Sequence, residues 1–138
     1  MATVHVTHNL RRLAQLPRFV SINSAVEIDL HGQSNGETLG EVQSSGVGGS
    51  LDYIEAAALS AGGLSILALP STTADGKHSK IVSRLTAGAV VTAPRFCTDY
   101  IVTEYGVARL KGQELRARAE ALIAIAHPHF RDALAKRV

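Results

Sequence analysis

An α/β layered domain, with a mostly parallel sheet and helices on both faces, is the fold class that this sequence predicts. Three observations predict it. Residues 64–70, Leu-Ser-Ile-Leu-Ala-Leu-Pro, form a short run of little polarity, as a strand buried on both faces does. Residues 87–92 and 100–104 are two more apolar runs of strand length. Helical patterns at 51–61 and 113–126 alternate with these runs, and such alternation favours a parallel sheet. At 138 residues the chain suffices for a single domain, 1–138, with a real core.

The elements follow in order. Leu10, Leu13 and Ala14 make a short helical pattern that Pro17 closes. Residues 19–23 read as a strand. Residues 26–30 alternate apolar and acidic side chains, as a half-exposed strand does. With the turn at 31–36, these two strands suit a small antiparallel element. Then comes Ser45-Gly46-Val47-Gly48-Gly49, leading into the helix at 51–61, which Gly62-Gly63 stops. Ser50 suits its cap, and Asp52 in the first turn suits its dipole. In the helix at 113–126, Leu115, Ala119, Leu122 and Ala126 share one face. Glu114/Arg118 and Arg116/Glu120 are spaced as i,i+4 pairs. His127-Pro128 breaks this helix, and 130–136 forms the last one.

Composition narrows the function. A net charge of +2 with scattered Lys and Arg, three Phe and three Tyr gives nucleic acid neither a basic face nor stacking platforms. Apolar runs are too short to span a membrane, and the first residues lack the apolar core of a signal peptide, so a cytoplasmic location is expected. Cys97 is the sole cysteine, which excludes an intrachain disulfide. The six histidines show no zinc spacing, and no metal site is expected.

Three features can meet at the carboxyl edge of such a sheet, where open α/β sheets bind ligands. The first is the glycine loop. Gly46, Gly48 and Gly49 free the backbone to take unusual φ and let a ligand approach the amides at a helix start, which suits a phosphate, carboxylate or oxyanion. The same glycines serve equally as a tight turn feeding an ordinary helix. The second is Glu104, at the end of an apolar strand before Gly106. Desolvation there would shift its pKa and suit it to orient a substrate, or it caps a turn or pairs with Arg95 or Arg109. The third is the loop after Pro70, with Lys77 in the basic stretch 75–80, which meets a phosphate or is simply solvated.

A string of motifs in order carries a resemblance: Phe19-Val20-Ser21-Ile22-Asn23-Ser24-Ala25, Glu27-Ile28-Asp29-Leu30-His31-Gly32-Gln33, Ser45-Gly46-Val47-Gly48-Gly49, Ala68-Leu69-Pro70-Ser71-Thr72, Val102-Thr103-Glu104-Tyr105-Gly106, and Arg118 through His127-Pro128. Nearly the whole chain resembles the C-terminal domain of the acetyl-CoA hydrolase/transferase family. That family includes acetate, succinyl-CoA:acetate and 4-hydroxybutyrate CoA-transferases. The resemblance implies two similar α/β domains with the active site between them. It implies coenzyme A and acyl-CoA as substrates, a small carboxylate as acceptor, and no permanently bound cofactor. A glutamate attacks the acyl-CoA and passes through a glutamyl-CoA thioester. That glutamate lies upstream of the residues here, so Glu27, Glu37, Glu41 and Glu104 are not the nucleophile.

By the same resemblance, Gly49 donates its amide to the oxyanion and Glu104 supports the site. Where many members carry a substrate-binding Asn, this chain reads Thr7-His8-Asn9, so His8 or Asn9 stands in. Some relatives place a CoA-binding Lys in the loop after Pro70. Ala74 takes that place here, with Lys77 three residues on. The expected partner is an N-terminal half of the same enzyme, or a second copy, over an exposed apolar patch. The alternative is a non-catalytic CoA-binding or assembly module.

Overall fold

The computed structural model describes residues 2–138. In chain order its elements are α1 (Val4–Thr7), α2 (Leu10–Ala14), β1 (Val20–Asn23), β2 (Glu27–Asp29), β3 (Ser34–Asn35), β4 (Thr38–Leu39) and β5 (Val42–Gln43). There follow α3 (Ser50–Leu59), β6 (Leu64–Ala68), β7 (Ile81–Val82), β8 (Tyr100–Thr103), β9 (Gly106–Arg109), α4 (Leu115–Ile125) and α5 (Pro128–Ala135).

The main sheet has the order β1-β6-β8-β9. β1 pairs with β6 and β6 with β8 in parallel, while β8 and β9 form an antiparallel hairpin. The mainly parallel α/β class is therefore what the residues build. A smaller sheet, β3-β2-β7, shares its core, and β4-β5 is a short hairpin. Ile28, Ile54, Ile81, Ile101, Leu110 and Leu122 are all but fully buried together, so both sheets and both long helices close on one apolar centre.

The expectation of helices on both faces is corrected. Ser21, Ser65, Leu67, Ile101, Thr103 and Ala108 alternate onto one face of the main sheet and are all buried. The other face carries Val20, Ile22, Leu64 and Val107 exposed, with Ile66, Ala68, Tyr100 and Val102 half-buried. The cause is connectivity. β1, β6 and β8 step across the sheet in one direction, and right-handed crossovers stepping one way all fall on the same side.

Other expectations change with their physical reasons. Residues 19–23 and 26–30 do not pair with each other. β1 joins β6, while β2 lies between β3 and β7. The strand at 26–30 is buried rather than half-exposed, because neutral donors satisfy its acids. Glu27 accepts from the Thr86 amide at 3.0 Å and the Thr86 hydroxyl at 2.7 Å. Asp29 accepts from the amides of His31 and Gln33 and from the Gln33 side chain, making the tight turn that precedes β3. Residues 87–92 are not a strand. The segment turns at Thr86–Ala89 with Gly88 at φ 81°, and the amides of Thr92 and Ala93 both reach the Ser34 carbonyl.

Arg116 and Glu120 pair at 3.0 Å as the spacing requires. Arg118 turns away from Glu114, and its guanidinium donates to the carbonyls of Gln113, His31 and Arg95. Leu115, expected on the buried face of α4, is exposed, whereas Ala119, Leu122 and Ala126 are buried. The last helix opens at Pro128, whose missing N–H costs nothing at a first turn.

Candidate functional site

The carboxyl ends of β1, β6 and β8 meet along one edge of the main sheet. Between the ends of β1 and β6 lies a crevice of about 130 Å³, lined by Asn23, Ser34, Val47, Ser50, Leu67 and Thr92 among others. The glycine loop forms one wall of it. The roomier grooves lie elsewhere, between α4, α5 and the β2–β7 sheet. The site is therefore chosen by its chemistry and not by its size.

The loop is tied down from below. The amides of Ser44 and Ser45 donate to the Glu37 carbonyl, and the Ser45 hydroxyl reaches the Gly36 carbonyl. Gly48 takes φ 59°, a left-handed conformation that a glycine adopts without strain. Gly49, at φ −100°, is the cap residue of α3. Ser50 is not the cap, as the sequence suggested. Its hydroxyl donates to the Val47 carbonyl instead, closing the loop on itself. Among the described residues, the amides of Gly46, Val47, Gly48 and Gly49 have no hydrogen-bond acceptor. They stand at the N-terminus of a ten-residue helix, where negative charge is favoured.

Gly49 has a further reason to be glycine. A β-carbon there would fall 2.0 Å from the His8 ring. His8 lies edge-on to Tyr53 at 5.0 Å, its Nδ1 is 2.8 Å from the Thr7 hydroxyl, and the Tyr53 hydroxyl donates to the Thr7 carbonyl at 3.1 Å. Helix α3 thus anchors the N-terminal segment and holds an imidazole against the glycine loop. Asn9 is next in sequence, but its side chain accepts the Arg12 amide and caps α2.

Glu104 follows β8. It is exposed, and it pairs with neither Arg95 nor Arg109. Its carboxylate accepts the Ser71 amide at 2.9 Å and the hydroxyl of the same residue. Those bonds, from Ser71's hydroxyl foremost, hold its carboxyl below the usual range, and the nearby His127 acts in the same direction. Ser71 is fully buried just after β6, so this contact ties the ends of β6 and β8.

Lys77 stands apart. It tips a turn in which Thr73 and Lys77 both donate to Asp75, with its ammonium 3.8 Å from that carboxylate in solvent. It borders the groove that contains Glu27, Lys80 and Arg84, away from the glycine loop. Gly46, Gly48, Gly49 and His8 are thus assembled into one feature, while Glu104 and Lys77 belong to separate ones.

Two residues were missed from the sequence. Asn23 ends β1 at the crevice, with its amide donating to the Ser21 hydroxyl at 2.7 Å. Its place at the end of an apolar strand was the available signal. Ser71, which holds Glu104, sits 33 residues away in sequence, and no local pattern links the two.

Comparison with known proteins shows the family of the whole chain. The chain matches the acetyl-CoA hydrolase/transferase C-terminal domain over residues 1–138. This chain belongs to that family. It is 57% identical over 115 residues to 4-hydroxybutyrate coenzyme A transferase of Clostridium kluyveri, covering 83% of this chain and 27% of the relative. It is 48% identical over 138 residues to butyryl-CoA:acetate CoA-transferase of Anaerostipes caccae, covering 98% of this chain and 31% of the relative. The crystal structure of RipA from Yersinia pestis superposes with a TM-score of 0.86 at 44% identity, over 94% of this chain and 29% of that one. The 4-hydroxybutyrate CoA-transferase of Porphyromonas gingivalis does so with a TM-score of 0.74, at 44% identity, over 94% of this chain and 28% of that one.

This acetyl-CoA hydrolase/transferase C-terminal domain spans less than a third of the relatives it matches. No helix among its described residues is long and apolar enough to cross a membrane.

Proposed function

We propose that this domain is the C-terminal portion of an enzyme that moves coenzyme A between an acyl-CoA and a small carboxylate, or hydrolyses the acyl-CoA. The nucleophilic glutamate lies in the portion outside this chain. Its carboxylate oxygen attacks the thioester carbon, CoA thiolate leaves, and an acyl-glutamyl anhydride forms. Thiolate then attacks the glutamyl carbonyl, releasing the first carboxylate and leaving a glutamyl-CoA thioester. An acceptor carboxylate attacks that thioester and the sequence runs in reverse. With water as acceptor the outcome is hydrolysis.

Every attack puts negative charge on a carbonyl oxygen. The observation that carries the reading is the pair of free amides at Gly48 and Gly49, beside His8 at the carboxyl edge of the sheet. Preorganised amides aimed at a developing oxyanion lower each barrier, and the Gly49 amide fills that role here. His8 lines the same site, with Asn9 committed to its cap. Glu104 supports the edge through Ser71. Lys77 meets a phosphate of the CoA from its separate loop.

The test is acetyl transfer from acetyl-CoA to succinate, by the chain alone and with an added N-terminal half. The chain alone is expected to be inactive, and the complex active. Replacing Gly49 by Pro removes one donor and also brings a β-carbon against the His8 ring; it should lower the rate of the complex by at least about 10²–10³-fold. Circular dichroism checks that the variant folds. Robust turnover by the lone chain, or an unchanged rate in a folded Gly49→Pro complex, overturns the reading.

A further inference from the structure

We propose that His8 is a general base for water at the glycine loop, and that it gives the enzyme containing this domain a hydrolase activity on acyl-CoA thioesters. The proposal rests on the reading of this chain as the C-terminal portion of an enzyme that transfers CoA, and it names water as an acceptor for which that site is built.

Chemistry separates the two acceptors. A carboxylate arrives already ionised, so passing CoA from one carboxylate to another moves no proton. Water must lose a proton as its oxygen attacks, and a positioned base contributes about 10²–10⁴-fold to such a step. A base beside the oxyanion donors therefore serves hydrolysis and takes no proton in transfer. The crevice walled by the glycine loop has no ionisable side chain in its lining. The base held against this loop is the His8 imidazole.

One ring nitrogen is committed and the other is free. Nδ1 lies 2.8 Å from the Thr7 hydroxyl. That hydroxyl donates its single proton to the Thr3 carbonyl at 3.3 Å, one helical turn back. It therefore accepts from Nδ1–H, since a hydroxyl with one proton makes both bonds in no other way. In the neutral ring this leaves the lone pair on Nε2. Cδ2 and Nε2 form the edge that faces Gly49, where a β-carbon would fall 2.1 Å from Nε2. Among the described residues Nε2 has no hydrogen-bond partner, and the ring is half-buried, so water reaches it. Tyr53 lies edge-on at 5.0 Å and bonds the Thr7 carbonyl, which keeps the ring in place. A base oriented by a second group, beside free amides, is an arrangement that acyl-transfer sites use.

The step balances with no further reactant. The water oxygen bonds to the carbonyl carbon of the glutamyl-CoA thioester as one of its protons passes to Nε2. The Gly49 amide holds the charge that develops on the carbonyl oxygen. The C–S bond then breaks, and Nε2 returns the proton to the CoA sulfur. Free CoA leaves, and the glutamate is left as its carboxylic acid, which ionises in water.

The test gives acetyl-CoA to the complex of residues 1–138 with the N-terminal portion of butyryl-CoA:acetate CoA-transferase of Anaerostipes caccae, without acceptor and with succinate. Chromatography separates free CoA from succinyl-CoA. Free CoA should form without an acceptor. His8→Asn keeps an N–H donor beside the loop but accepts no proton, so the ratio of hydrolysis to transfer should fall by about 10²-fold or more. That ratio does not depend on how much of the variant folds. In the free chain, nitrogen NMR of the neutral His8 ring should place the proton on Nδ1. A complex that transfers to succinate but releases no free CoA overturns this proposal and leaves the proposed function standing. An unchanged ratio in His8→Asn does the same, because His8 is then a donor alone, and so does a neutral ring with its proton on Nε2. A complex that neither transfers nor hydrolyses removes the proposed function, and this proposal with it.

Discussion

The imidazole of His8 occupies the space that a β-carbon on Gly49 would fill. Two segments 41 residues apart are thereby fitted to each other at the glycine loop, whose amides at residues 46–49 have no acceptor among the described residues. Gly49→Ala should displace the ring or the loop and lower stability by about 1–2 kcal/mol, in the range for overpacking. His8→Ala in the same chain should restore most of that loss. A double-mutant cycle by urea unfolding measures the coupling, and additive effects would show that the two residues do not share the space.

Ser71 and Glu104 give a pH dependence. The carboxyl of Glu104 is held below its ordinary value in the folded state, mainly by the Ser71 hydroxyl. A depressed carboxyl stabilises the fold fully above its unfolded pKa. That contribution is lost as pH falls through the lower folded value. Urea midpoints measured from pH 6 down to pH 3 should therefore fall less steeply for Ser71→Ala or Glu104→Gln than for the parent. Parallel curves would remove the pair as a source of acid lability.

Asp99 holds the middle of the sheet. Its side chain is nearly buried, accepts the Ser65 amide at 3.0 Å and meets the Lys111 ammonium at 3.0 Å. Asp99→Ala orphans a buried amide and should destabilise the domain by about 2 kcal/mol. Lys111→Ala should cost less, because that ammonium is half-exposed and the Ser65 bond survives. Thermal unfolding of the two variants gives the order, and a larger loss from Lys111→Ala would refute it.

Cys97 is buried, and that burial, with the charge of Glu55, pushes its thiol above the ordinary value. A protonated, covered thiol is a poor nucleophile. Reaction with a disulfide reagent at pH 8 should be slow in the native chain and fast in denaturant. Rapid native labelling would show that the strand ends around residue 97 open readily.

How far the sequence could be read depends on the range of the forces involved. The apolar runs that became β6 and β8, and the period of α4, are local signals and were legible. Residues 87–92 have a strand's composition, yet bonds to Thr38 and Ser34, more than 50 residues distant, bend them over the smaller sheet. Glu27 and Asp29 looked like a solvent face because the donors that bury them, Thr86 and the turn at residues 31–33, are visible only in three dimensions. At the candidate site, the glycine loop announced itself by composition. The ring packed on it, the caps taken by Asn9 and Gly49, and the Ser71 anchor of Glu104 did not.

The buried pairing of Glu27 with Thr86, set beside the near-complete burial of Leu122, fixes an order of assembly. β1 must wait for β6, β2 for β7, and the shared apolar centre for α4 near the end of the chain. Long-range parallel pairing of this kind is slow to form. A chain emerging from the ribosome therefore carries its strands uncovered until the last helices are made. Shortening it past α4 should yield an aggregating product rather than a smaller domain.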